Sequence, residues 1–166
     1  MKTFVVLGMH RSATSLVAKG LDNVIYLGDQ SDMLDPQKDN TEGFYENTKF
    51  IELNDKILNA GGGNWLEPPT EQAIISLKGR FDKEIKELID SFNSKGQIWG
   101  WKDPRTSLTI RLFHPFLTNP HYIACFRNPL EVAKSLNKRN MISIQKGLWT
   151  TMEYNFRIIK FLNEKH

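Results

Sequence analysis

The stretch Phe4-Val5-Val6-Leu7-Gly8-Met9-His10-Arg11-Ser12-Ala13-Thr14-Ser15 decides how this chain of 166 residues folds. Phe4 to Leu7 is apolar on successive residues, the pattern of a strand covered on both faces. A polar loop follows, and a helical pattern runs from Thr14 to Leu21. A strand, a tight loop and a helix in that order leave the first helical amides without partners, pointing outward, where the helix dipole favours an anion. Arg11 adds a planar donor fork, and Ser12, Thr14 and Ser15 add hydroxyls. An N-cap by Ser12 or Thr14 with a solvated Arg11 is the purely structural alternative. A nucleoside-triphosphatase loop would end in Gly-Lys-Ser/Thr and have a strand ending in a magnesium-binding aspartate. Both are missing, which disfavours hydrolysis of ATP or GTP.

Working outward, Ile98 to Trp101 and Tyr122 to Phe126 repeat the buried-strand pattern, and Val24 to Leu27 is a brief fourth candidate. Helical spacing predicts helices over Asn47 to Leu58, Phe81 to Phe92, Pro129 to Leu136 and Leu148 to Leu162. The last carries Trp149, Met152, Phe156 and Ile159 as its expected core face. Strand followed by helix, repeated, predicts an α/β fold with a parallel sheet in one domain over residues 1–166. The segment Asp29 to Asn47 reads as a long irregular loop of the kind that carries function.

The totals set bounds. A formal charge of +3 suits an anionic small ligand and falls short of a nucleic-acid or membrane-surface protein. No run reaches the roughly 18 apolar residues of a membrane span. The opening apolar run, Phe4 to Gly8, is shorter than a secretory h-region. One cysteine, Cys125, precludes an internal disulfide. The expectation is a soluble, cytoplasmic protein. The histidines His10, His114, His121 and His166 show no metal-ligand spacing, so no metal is implied.

Two further strand ends carry charge. Trp101-Lys102-Asp103-Pro104-Arg105 and Arg127-Asn128-Pro129 leave the carboxyl ends of strands, where open α/β sheets bind ligands. Ser135 lies eight positions after Arg127, about two turns into the following helix. Read separately, a surface ion pair before a Pro-led helix start is the structural alternative for the first, and a solvated arginine with a surface serine explains the second better than a site does.

Taken together and in order, these motifs resemble the P-loop-like sulfotransferases, which use 3'-phosphoadenosine 5'-phosphosulfate (PAPS). Gly8 to Ser15 is similar to the family's 5'-phosphosulfate loop in its bacterial form, with Ala13 where glycine is usual. Arg127 and Ser135 resemble the pair that binds the 3'-phosphate. Gly43-Phe44-Tyr45-Glu46-Asn47, then Leu53-Asn54-Asp55 and Trp65, and Lys102-Asp103-Pro104-Arg105 are similar to further blocks of this subgroup. The resemblance runs from Val5 to about Trp149. Family members continue with another strand and helices, so the resemblance leaves a C-terminally shortened form open, whether as a fragment, a minimal enzyme or a degenerate protein.

The resemblance implies a P-loop-like three-layer α/β/α fold and sulfuryl transfer from PAPS to a hydroxyl or amine acceptor, releasing adenosine 3',5'-bisphosphate (PAP). The acceptor is a small molecule or glycan, with carbohydrate, lipid head group and small alcohol all open. His10, Arg11, Ser12, Ala13, Thr14, Ser15, Arg127 and Ser135 would bind the nucleotide. Arg11, Glu46, Lys102 and Asp103 would carry the chemistry. Glu46 is favoured as base over Glu42 and Asp103. A divergent kinase and a non-catalytic nucleotide-binding protein stand as alternatives.

Overall fold

The computed structural model describes residues 1–35 and 43–165. Three strands, β1 (Lys2–Gly8), β2 (Ile98–Lys102) and β3 (Pro120–Cys125), form one parallel sheet in the order β2-β1-β3. Val5 stands opposite Trp101 on one side and Tyr122 on the other. Seven α-helices accompany the sheet among the described residues: α1 (Thr14–Asp22), α2 (Thr48–Ala60), α3 (Glu71–Ile75), α4 (Asp82–Asn93), α5 (Thr106–Phe113), α6 (Pro129–Asn140) and α7 (Ile144–Asn163). The chain is therefore α/β with a small parallel sheet.

Strand alternation divides the two faces of the sheet. Val5, Leu7, Trp99 and Trp101 face the main core, where they meet Phe50, Ile85, Phe92, Phe113, Tyr154 and Phe161. The Phe50 ring lies on Trp101 at 4.5 Å between centroids, and Trp99 stacks on Trp101 at 5.7 Å. Both tryptophans are thus packing residues. Lys102 alternates with Trp101, points to the other face, and reaches Ser15 at the start of α1. Helix α1 packs against β1 and β2 there.

Two sequence expectations need correction. Val24 to Leu27 is not a strand; it contributes a single bridge, Tyr26 to Trp99, before the chain turns at Gly28, whose φ of 140° is in the glycine-favoured region. The apolar stripe of α7 is not its core face either: Trp149, Met152, Phe156 and Ile159 are 49–62% exposed. The buried face instead carries Gly147, Thr150, Thr151, Tyr154, Arg157, Ile158 and Phe161.

The reason is local. A Cβ on Gly147 would stand 2.9 Å from the Cα of Ala133, so the close approach of α6 and α7 demands glycine there. The polar groups on the inner face find acceptors in the segment before α3. Thr150 Oγ1 donates to Leu66 O and Tyr154 Oη to Trp65 O, each at 3.0 Å, and Arg157 donates to Pro69 O. Those bonds offset much of the cost of burying the more polar side, although one Arg157 guanidinium nitrogen stays buried without a partner among the described residues.

Candidate functional site

β1 ends at Gly8, where a side chain has no room. A Cβ would lie 2.7 Å from Thr14 Cγ2 and 2.9 Å from Cys125 O. Its N–H donates to Ser107 Oγ at 2.9 Å, pinning the loop to α5. The chain then passes through two left-handed residues, Arg11 (φ 68°) and Ala13 (φ 65°), and α1 begins with no side-chain cap. Ser12 N–H closes a turn on Met9 O at 3.1 Å, and the start of α1, which has no side-chain cap, suits an anion. Neither Arg11 nor Ala13 is glycine, so each conformation costs on the order of 1–2 kcal/mol.

Three segments meet over this loop. Arg11 Nε donates to Ser135 Oγ at 2.9 Å, and an Arg127 guanidinium N–H donates to Arg11 O at 3.0 Å. Lys102 Nζ donates to Ser15 Oγ at 3.2 Å and to Glu46 Oε1 at 2.6 Å. The Lys102–Glu46 pair is sealed, with side chains 1% and 7% exposed. Burial raises the Glu46 carboxyl above its ordinary range, against the opposing pull of Lys102. Tyr45, at φ 55°, turns the chain just before Glu46, and Asn47 caps α2 by accepting from Lys49 N.

The result is a cleft of about 220 Å³. Of the residues singled out in the sequence, His10, Arg11, Ala13, Thr14, Ser15, Glu46, Lys102 and Arg127 line it. Among the described residues its wall holds Arg11, Lys102, Arg127 and Arg139 against the carboxylate of Glu46.

Three of the singled-out residues do not line the cleft. Ser12 is 2% exposed, and its hydroxyl has no hydrogen-bond partner among the described residues. Ser135 is half-buried and accepts from Arg11 Nε. Asp103 is fully buried, and its carboxylate accepts from Asn54 Nδ2 at 2.7 Å and from Arg105 N and NH1 at 3.1 and 2.9 Å. Its oxygens hold the scaffold. Glu42, the other carboxylate weighed as a base, lies outside the described residues.

Two sequence blocks prove to be neighbours. Asn54 bridges Asp103 and Thr106, and Arg105 pairs with Asp55 at 2.8 Å as well as with Asp103. Arg105 lies 3.8 Å from Glu46, and this network of carboxylates holds the guanidinium firmly charged.

Phe44, Pro104 and Arg139 also line the cleft and were not named as site residues from the sequence. The Arg139 guanidinium stands 5.6 Å from the Phe44 ring centroid. A signal for Arg139 existed: it falls four residues after Ser135, on the same helix face.

No family model matches the chain, and no curated protein or solved structure matches it.

Proposed function

We propose that the chain is a PAPS-dependent sulfotransferase of P-loop-like, three-layer architecture, acting in the cytoplasm on a hydroxyl-bearing or amine-bearing small molecule or glycan. The meeting of Arg11, Arg127 and Ser135 carries this reading. Residues from two different strand ends converge on one cation-rich cleft beside an uncapped helix N-terminus. A nucleotide with phosphate groups at both 5' and 3' positions matches that distribution. The buried Ser12 hydroxyl, unpartnered among the described residues, is a further donor at the loop.

In this reading the amides at the start of α1 hold the 5'-phosphosulfate, and Arg127 with Ser135 reads the 3'-phosphate. Glu46 takes the proton of the acceptor hydroxyl as the new oxygen–sulfur bond forms. The bond between sulfur and the bridging oxygen breaks, and its electron pair stays with the 5'-phosphate of PAP. Arg11 meets the charge growing on that oxygen, and a preorganised donor there lowers the barrier. Lys102 ties the base to Ser15 of the loop. The acceptor would approach past the segment before α2. There Phe44 and Glu46 face the cleft, while Gly43 and Tyr45 line a neighbouring cavity of about 190 Å³.

A non-catalytic PAP-binding protein is the second reading. The short Lys102–Glu46 ion pair favours it, because a carboxylate held by an ammonium is a weaker base. Single-turnover transfer from labelled PAPS to a panel of sugars and small alcohols separates the two. The sulfotransferase reading requires transfer that Glu46→Gln abolishes. PAP binding with no transfer to any acceptor supports the second reading.

A further inference from the structure

His10 lines the cation-rich cleft, and its place in the nucleotide-binding loop leaves open what its ring does there. Its ring is wedged against Trp65 at 4.6 Å between centroids and meets the edge of Tyr154 at 6.5 Å. Nε2 is sealed from solvent and has no hydrogen-bond partner among the described residues. Nδ1 is not sealed in this way, and the residue forms part of the cleft wall. The accessible edge of the ring is therefore the Nδ1 edge.

A neutral imidazole has one N–H and one bare nitrogen. An N–H buried with nothing to accept it is the rarer and costlier defect in folded proteins. The charges acting most strongly on the ring are Arg105, Lys102, Arg139 and Arg11, all cations. They favour a bare lone pair on the sealed side and disfavour a second proton. Glu46 on the cleft wall is engaged by Lys102. Both arguments place the single proton on Nδ1.

We propose that His10 is a neutral donor whose Nδ1–H points into the cleft and binds a phosphate or sulfuryl oxygen of the ligand. It adds a directed hydrogen bond where a further cation would be repelled by its neighbours. This deepens the nucleotide reading above and rests on it for the identity of the ligand.

Nitrogen-15 NMR of the full chain without nucleotide reads the tautomer directly. The proposal requires a proton on Nδ1 and a bare Nε2, persisting on acidification from about pH 8 to about pH 6. An Nε2–H tautomer, or a doubly protonated ring near neutrality, overturns it. Titration of PAP gives the second arm. His10→Asn places an amide N–H near the Nδ1 position, and His10→Gln places one near Nε2. Asparagine should keep PAP affinity within about threefold, while Gln and Ala should lose about tenfold, the size of one hydrogen bond. Equal or better binding by the Gln variant overturns the proposal. If PAP does not bind the parent chain, the nucleotide reading fails by itself. The Nδ1–H resonance is then followed with inorganic phosphate, and no response overturns the donor role as well.

Discussion

Arg11 and Ser135, 124 positions apart in the chain, share a 2.9 Å hydrogen bond from guanidinium Nε to hydroxyl Oγ. The bond joins the loop after β1 to the second turn of α6 and fixes the direction of the Arg11 side chain. With Oγ accepting from Arg11, the Ser135 O–H is left to donate to the 3'-phosphate in the proposed reading, so Ser135→Ala should weaken PAP binding by about 0.5–1.5 kcal/mol, the worth of one such bond, and ADP binding less. Calorimetry on both nucleotides checks this. An equal loss for the two would make Ser135 a general support of the loop.

Ala13 at φ 65° predicts a substitution that helps. Glycine adopts the left-handed region without the clash that alanine suffers. Ala13→Gly should raise stability by up to about 1 kcal/mol, partly offset by the greater freedom of glycine in the unfolded chain. PAP affinity should hold or improve. Thermal unfolding with and without PAP measures both, and a fall in melting temperature would show that the loop is shaped around the methyl group.

Lys102 and Glu46 form a sealed pair, so removing one partner strands the other. Lys102→Met should destabilise by about 3–5 kcal/mol, and the double variant Lys102→Met, Glu46→Leu should recover much of that. Urea unfolding of both variants and the parent supplies the comparison. A double variant no better than Lys102→Met would mean that Arg105, 3.8 Å from Glu46, already compensates the carboxylate.

Burial, reinforced by Arg105, Lys102, Arg139 and Arg11, holds the His10 imidazole well below its ordinary value of 6.5. The folded state then binds fewer protons than the unfolded state below that value. Stability is full above pH 6.5 and is lost as pH falls toward the lower folded value, by at most about 1.4 kcal/mol per pH unit for one group. His114, also lowered by burial, has the same sign. Glu46 and Asp55, raised by burial, have the opposite sign in the carboxylate range. His10→Asn should therefore lose less stability than the parent between about pH 7 and about pH 5. Urea unfolding at the two pH values decides, and identical slopes would contradict a buried neutral His10.

Much of this arrangement was legible in the sequence because it is local. Phe4 to Leu7 shows as a strand by continuous apolar character, and Gly8 to Ser15 as a strand-to-helix turn by its polarity. What could not be read depends on distant partners. Nothing near Asp103 says that Asn54 will occupy its carboxylate, and nothing near Lys102 says that Glu46 will pair with it. The stripe of α7 misled for the same reason. Trp149, Met152, Phe156 and Ile159 form the more apolar side, yet the carbonyls of Trp65, Leu66 and Pro69 make burial of the opposite side cheap. Left-handed Arg11 and Ala13 were equally invisible, since neither residue type announces a positive φ.

Isothermal titration of the purified chain with PAP and with ADP tests the central claim most directly. The two nucleotides carry the same number of phosphates and differ in whether one stands at the 3' position. The account predicts tighter binding of PAP, and a preference that Arg127→Ala largely removes. A charge-assisted contact of this kind is worth about 1.5–3 kcal/mol, which is roughly tenfold to a hundredfold in affinity. Equal affinity for PAP and ADP in the parent chain, or magnesium-dependent ATP binding tighter than either, would contradict it.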